Sequence, residues 1–317
     1  MKYLFGPVNS RRLGRSLGID LLPSKICNLN CIYCEVGPTT DLTCERREYS
    51  PTAAILAEID AFLDGKADRV FDVFTITGSG EPTLHSGIGQ IIRHLKARTD
   101  KPVVVLTNGS LLSQPAVRAE LAAADIVVPS LDAALPAAYR KVNRPAACAA
   151  LADLLSGLQV FSREFAGEVW LEILLVKGMN DSAADVAALR EAIGAILPAR
   201  VQLNTVARPP VESFARPLSA ADLAAVAAEL RRGYAGRVEV LTAPQSSVGD
   251  SGQPHALADV GQAEAIVEML RRRPCTVVDI STALNLEIER IVPLLDELAQ
   301  AGRIRKMTHN LDVYYHA

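Results

Sequence analysis

The sequence predicts an α/β fold in which six strand–helix units build a parallel sheet, followed by a small helical unit that ends in a hairpin. Three observations predict it. Between Gly18 and about Leu241, short apolar runs alternate with helical patterns. The runs are nearly continuous in Val, Ile and Leu, as strands covered on both faces are, rather than alternating polar and apolar. After Leu241 the alternation stops, and beyond residue 258 three helical stretches precede two short runs around His309-Asn310.

Taken in order, the strands fall at Ile19–Leu22, Val70–Thr77, Val103–Thr107, Ile126–Ser130, Val169–Val176 and Val201–Val206. Helices fall between or after them, at Ala53–Leu63, Ile88–Ala97, Gln114–Ala123, Ala149–Phe165, Ala183–Ile196 and Ala220–Arg231. Several carry start signals: Ser50-Pro51, Ser113 with Pro115, and Ser219 before an Ala-rich run. Repeated strand–helix units imply parallel strands and right-handed crossovers. Six units make a doubly wound open sheet or a partial barrel, and periodicity does not choose between them.

One more apolar run, Val238–Leu241, closes this region. Ala243–Asp259 is rich in Ser, Gly, Pro and Gln and reads as a linker or surface loop. The boundaries are therefore 1–242 for the large domain, 243–258 for the linker and 259–317 for the small one. Helices are expected at Gln262–Arg271, Val277–Leu284 and Ile288–Ala301, then Gly302 and a hairpin of Arg303–Met307 and Val313–His316. That is a winged-helix pattern. Its charges resist a DNA-reading role, since seven Lys or Arg stand against nine Asp or Glu from Asp259 onward. The helix that would enter a groove carries Glu287, Glu289, Asp296 and Glu297 against Arg290, whereas groove-reading helices need a positive approach to phosphate. Pro293 is also expected to kink that helix or remove one of its backbone bonds. A protein-docking or substrate-covering module fits better, with Arg303, Arg305 and Lys306 leaving weak RNA contact open.

With 317 residues, 49% hydrophobic, the chain has material for one large core and a small one. A formal charge of −3 argues against a broadly basic protein that coats nucleic acid. No apolar run reaches the ~18 residues of a membrane span, and the N-terminus turns polar too soon for a secretory signal. A cytoplasmic location follows. Four of the six cysteines lie between Cys27 and Cys44, with Cys148 and Cys275 elsewhere. Such clustering in a chain without a signal points to metal chemistry in a reducing compartment rather than a disulfide framework.

Cys27, Cys31 and Cys34 place three thiols in eight residues just after the first strand. Ligands of parallel sheets bind at the carboxyl ends of strands, and thiolates are the usual ligands of iron–sulfur clusters. Three protein ligands on a four-iron cluster leave one iron open. The structural alternative is a closed zinc site with Cys44 as fourth ligand, although zinc cysteines usually come as two separated pairs.

Cys-x-x-x-Cys-x-x-Cys, with Tyr33 before the last cysteine, resembles the radical S-adenosylmethionine superfamily. The resemblance implies a partial parallel (β/α)6 barrel, a 4Fe–4S cluster on these three cysteines, and S-adenosylmethionine on the open iron. It also implies an external electron donor of flavodoxin or ferredoxin type. Reductive cleavage of the cofactor would give a 5′-deoxyadenosyl radical that takes hydrogen from substrate. Gly78-Ser79-Gly80-Glu81, ending the second strand, looks like the family motif whose backbone binds the methionine amino group, and glycines allow the close approach. Asn108, in Thr107-Asn108-Gly109, resembles the matching turn of the molybdenum-cofactor-synthesis branch. Ser130, in Ser130-Leu131-Asp132, resembles that branch's ribose-binding serine, with Asp132 also suited to capping the next helix. Glu172 and Lys177 lie in a stretch like that branch's fifth strand. Glu172 is either a substrate residue or the partner of a structural arginine.

The resemblance covers roughly residues 1–242. It is closest to relatives of the tRNA wyosine-synthesis enzymes, through Phe5-Gly6-Pro7-Val8-Asn9-Ser10-Arg11-Arg12-Leu13-Gly14 and Val142-Asn143-Arg144-Pro145. Those enzymes carry a second cluster on three further cysteines, which this chain does not supply near its N-terminus. Two basic groups, Arg11, Arg12 and Arg15, and Arg140, Lys141 and Arg144, suit an anionic substrate. The leading reading is an enzyme acting on a small-molecule or peptide-borne anionic substrate. An RNA-modifying enzyme and a zinc-stabilised winged-helix regulator are the alternatives.

Overall fold

The computed structural model describes residues 1–10, 12–65, 71–241, 259–284, 286–310 and 312–317. The predicted linker, Arg11 and the predicted strand start at Val70 lie outside the described residues.

The chain opens with a hairpin that sequence patterning missed. Strand β1 (Leu4–Ser10) runs antiparallel to β2 (Gly14–Ile19), from Leu4 opposite Ile19 to Ser10 opposite Gly14. β1 contains Gly6 and Pro7, which suit an edge strand and dilute the apolar signal. Two short strands follow, β3 (Ile26–Cys27) and β4 (Asp41–Leu42), paired parallel. Next come α1 (Thr52–Asp64), β5 (Val73–Ile76), α2 (Ile88–Arg98), β6 (Val103–Thr107), α3 (Pro115–Leu121) and β7 (Ile126–Pro129). Then α4 (Pro136–Val142) and α5 (Leu151–Glu164) precede β8 (Glu168–Leu175), α6 (Ala183–Ile196), β9 (Arg200–Thr205), α7 (Ala220–Leu230) and β10 (Arg237–Val240). Helix α4, opened by Pro136 at its first turn, had no separate sequence expectation.

Strands join in the order β1-β2-β5-β6-β7-β8-β9-β10. All neighbours from β2 onward are parallel. The order never reverses, as a doubly wound sheet must at its switch point. The last apolar run is β10, so the sheet extends beyond the six expected strands at both edges.

Alternation along the strands explains why the helices lie to one side. Phe74, Val105, Val127, Leu171, Ile173 and Leu203 pack in one core with Ile59, Ile91, Leu121, Leu158, Leu189 and Leu230 of the helices. The alternate positions Val73, Val104, Val128 and Trp170 form another cluster, with Leu13 of the β1–β2 turn. Ser16, Thr75 and Gln202 share this second alternation and are buried without being apolar. The helices are set locally: Ser182 and Asp185 cap α6 reciprocally, and Ser219 accepts from the Asp222 amide at the start of α7.

The C-terminal unit comprises α8 (Asp259–Arg272), α9 (Val277–Leu284), α10 (Ile288–Gln300) and the hairpin of β11 (Arg305–His309) and β12 (Asp312–His316). It has its own core of Ile266, Leu270, Ile280, Ile291, Leu295, Leu298 and Tyr315. It rests on the sheet domain: the Arg272 guanidinium donates to the Lys2 carbonyl at 2.8 Å, and the Tyr314 hydroxyl to the Ala207 carbonyl at 3.2 Å. Helix α10 runs through Pro293. Among the described residues, no helix is long and apolar enough to cross a membrane.

Candidate functional site

The cysteine loop leaves β3 at the carboxyl ends of the parallel strands and is held along both sides. On one side Thr43, just past β4, donates its amide to the Cys27 carbonyl at 3.0 Å. On the other, Asn30 and Ile32 donate to the carbonyls of Asn143 and Val142, and Ala146 donates to that of Asn28. Cys27 is buried, and Cys31 and Cys34 are half-buried; all three are free thiols.

Each sulfur faces a side-chain N–H donor, the three donors coming from separate parts of the chain. Asn108 Nδ2 points at Cys27 Sγ at 3.7 Å, Asn143 Nδ2 at Cys31 Sγ at 3.4 Å, and Lys25 Nζ at Cys34 Sγ. Burial pushes the Cys27 thiol up to about 11, against the pull of Lys25. Burial, followed by the Asp132 carboxylate, pushes the Cys31 thiol up as well. Burial disfavours the Lys25 ammonium, yet the sulfurs of Cys34 and Cys27 outweigh it and hold its pKa above the usual lysine value. Thiols so protonated become metal ligands by exchanging protons for metal, and the N–H donors are the surroundings that tune thiolate-bound clusters. The donor set fits an iron–sulfur cluster.

Cys44 is bonded to Cys148, with Cα atoms 6.3 Å apart. This corrects two expectations. Cys44 is not available as a fourth zinc ligand, and the thiols outside the triad are not uniformly reduced. Among the described residues, no group of three or more His, Cys, Asp or Glu is arranged to hold a single metal ion.

The predicted motif at the end of β5 abuts the same loop. Gly78 has φ +142, and a Cβ there would meet the Asp20 carboxylate at 2.2 Å. That carboxylate accepts the Ser79 amide at 3.2 Å and the Ser79 hydroxyl at 2.6 Å. Gly80 is required by a close approach to Ile26, whose carbonyl oxygen would lie 1.8 Å from an added Cβ. Glu81 turns inward and is 2% exposed. Its Oε1 accepts from the Thr83 amide at 2.9 Å and the Thr107 hydroxyl at 2.6 Å, and its Oε2 from the Asn108 amide at 2.7 Å. Burial raises its pKa while these donors oppose the rise. Asn108 in turn donates to Asn28 Oδ1 at 2.7 Å, and Asn28 to the Ser110 hydroxyl at 2.7 Å.

Ser130, just past β7, forms a bridge with Glu172. Asp132 does not cap α4. Its carboxylate takes the Tyr33 hydroxyl, Asn143 Nδ2 at 2.6 Å and the Leu174 amide at 2.9 Å, and burial lifts its pKa to about 6. Tyr33, Asn108 and Asp132 therefore converge on the cysteine loop.

The substrate candidates separate. Glu172 pairs with Arg12 at 2.7 Å, so its arginine-partner reading holds. Arg144 pairs with Glu212, and Lys177, 59% exposed, with Asp222 at 3.5 Å. Arg140 and Lys141 are exposed, and Lys141 donates to the Gly178 carbonyl. The expected anion cradle is thus already answered by carboxylates at Arg12 and Arg144. Sequence reasoning missed Lys25, Asn28 and Asp20, and used Asn143 only as part of a motif. The signal for Lys25 and Asn28 was their place on either side of Ile26-Cys27.

The sequence profile of the Radical SAM superfamily matches residues 21–189, more than half of the chain. The chain belongs to the radical SAM superfamily. This is an enzyme class whose members use a 4Fe–4S cluster and S-adenosylmethionine. Among relatives, UPF0026 protein slr1464 of Synechocystis sp. is 39% identical over 65% of this chain and 76% of its own length. A protein of Brachyspira hyodysenteriae named GTPase Obg is 34% identical over 96% of this chain, which spans only 44% of that relative. The fold is similar to the structure of TYW1 with a lysine-pyruvate adduct bound, at TM-score 0.53 and 18% identity over 73% of this chain and 76% of that one.

Proposed function

We propose that Cys27, Cys31 and Cys34 hold three irons of a 4Fe–4S cluster in a partial parallel barrel, and that the chain is a radical S-adenosylmethionine enzyme acting on a small-molecule or peptide substrate. The carrying observation is the convergence of three separate N–H donors, from Lys25, Asn108 and Asn143, on three free thiols of one loop. A cluster held there would supply, when reduced by the external donor, the one electron needed to split S-adenosylmethionine into methionine and a 5′-deoxyadenosyl radical.

The chain's own residues do the holding. The backbone of Gly78, Ser79 and Gly80 lines the place of the methionine part, kept in position by Asp20 and by Glu81 inside the wall. Ser130 and Tyr33 are assigned to the nucleoside part by their place in the matched motifs, and Asn108 steadies Cys27. Domain limits of 1–242 and 259–317, the latter a winged-helix module docking on the first, an external flavodoxin- or ferredoxin-type donor and a cytoplasmic setting belong to this reading. The regulator alternative loses its fourth zinc ligand to the disulfide. An RNA substrate gains no specific support from the exposed Arg305 and Lys306.

The test is dithionite-reduced protein with S-adenosylmethionine, analysed for 5′-deoxyadenosine beside a Cys31→Ala control. Wild-type protein is expected to cleave the cofactor slowly without substrate. Equal yields from the two proteins sink the reading.

A further inference from the structure

Asn143 sits at the end of α4 with both backbone groups engaged. Its amide donates to the Tyr139 carbonyl at 2.9 Å, and its carbonyl accepts from the Asn30 amide at 3.0 Å. The side chain is therefore presented by fixed backbone, and the residue is only 3% exposed. Nδ2 spends its two hydrogens on Asp132 Oδ2 at 2.6 Å and Cys31 Sγ at 3.4 Å. These partners fix the orientation of the amide, because turning it over would set Oδ1 against a carboxylate and a sulfur.

Oδ1 is left over. It is buried and has no hydrogen-bond partner. Buried acceptors are normally satisfied, and one that is not calls for an explanation such as a bound group. The nearby polar side chains do not provide one. Tyr33 gives its hydroxyl to Asp132, and Asn108 gives its amide hydrogens to Asn28 and Cys27. An acceptor so placed beside Cys31 selects a ligand that brings its own O–H or N–H.

We propose that Asn143 is a two-sided cofactor residue, its Nδ2 tethering the sulfur of Cys31 and its Oδ1 accepting a hydroxyl or amino donor of bound S-adenosylmethionine. The proposal rests on the cluster reading given above. S-adenosylmethionine carries both kinds of donor, ribose hydroxyls and amino N–H groups, within one molecule held at the cluster. The side chain thereby joins the binding of cofactor to the hydrogen bond on a cluster ligand. Removing it has two consequences, weaker cofactor binding and a changed cluster environment, and both are measurable without turnover.

The experiment uses full-length protein reconstituted anaerobically with iron and sulfide. Cofactor affinity is read by equilibrium binding of S-adenosylmethionine and by the change it causes in the electron paramagnetic resonance spectrum of the reduced cluster. Asn143→Ala is expected to keep its iron and bind the cofactor about five- to tenfold more weakly, the loss of one hydrogen bond. A weakening that disappears with a 2′- or 3′-deoxyribose form of the cofactor assigns a ribose hydroxyl. A weakening that persists with both assigns one of its two amino groups, on the methionine part or on the adenine. Wild-type affinity in iron-loaded Asn143→Ala overturns the proposal. Should Asn143→Ala lose iron, Asn143→Ser, which keeps a short donor toward Cys31, is measured instead. Loss of iron in both makes Asn143 a structural clasp and also overturns it. Wild-type protein that takes up no iron sinks the cluster reading itself, an outcome distinguishable from these.

Discussion

The Ile26 carbonyl accepts the Glu81 amide at 3.0 Å, locking the entry of the cysteine loop against the turn that follows β5. Gly80 makes that contact feasible, since an added Cβ would overlap the same carbonyl. Gly80→Ala is accordingly expected to displace Ile26 and Cys27, at about 1–3 kcal/mol for forced overpacking. Chemical denaturation and iron content after reconstitution check it. Unchanged stability with full iron would show that the loop yields without cost.

Glu81 serves as an internal strut. Replacing it by Ala strands the Thr83 and Asn108 amides and the Thr107 hydroxyl inside the protein. The expected loss is at least about 3 kcal/mol, from several unsatisfied buried donors. Glu81→Gln keeps the shape and one acceptor, and is expected to fall between wild type and Ala. Urea midpoints rank the three proteins, and equal midpoints for Gln and Ala would argue against a role for acceptor count.

Cys44 and Cys148 close a loop across 104 residues, outside the triad but on both flanks of the cysteine loop. Cys27→Ala, Cys31→Ala and Cys34→Ala are each expected to abolish cluster assembly, whereas Cys44→Ala retains iron. In oxidised protein Cys44→Ala is expected to lower stability by about 2–4 kcal/mol, the usual worth of a loop-closing disulfide. In reduced protein the difference should vanish. Iron loss in Cys44→Ala equal to that of the triad variants would overturn this division of labour.

His85 is fully buried, its Nε2 on the Ser50 carbonyl at 2.7 Å and its Nδ1 accepting the Gly87 amide at 3.0 Å. Burial lowers its pKa, while the Ser50 contact opposes the shift. Below about pH 6.5, the ordinary histidine value, the unfolded chain binds a proton that the folded one resists. The unfolded state then holds more protons, so stability rises with pH across this window and is lost as pH falls. Urea midpoints from pH 8 to pH 5 should drop more steeply for wild type than for His85→Asn. Parallel slopes would remove His85 as the cause.

The sequence by itself determined the elements whose signals are local. Strand Val103–Thr107 and helix Ala183–Ile196 lie where the pattern puts them, the first because both its faces are covered, the second because Ser182 and Asp185 cap it within four residues. The cysteine spacing, a local feature too, was enough to indicate the family. The tertiary structure decided what joins distant segments. Strand β1 exists because β2 offers it an edge, although Gly6 and Pro7 carry no strand pattern. Arg12 meets Glu172, Cys44 meets Cys148, and Tyr33, Asp132 and Asn143 meet at Cys31. Each of these pairings depends on where loops and crossovers return the chain, and side-chain identity read along the sequence holds no record of that path. The doubly wound alternative fell for the same reason. Strand order is a property of pairing partners, which the apolar runs themselves leave open.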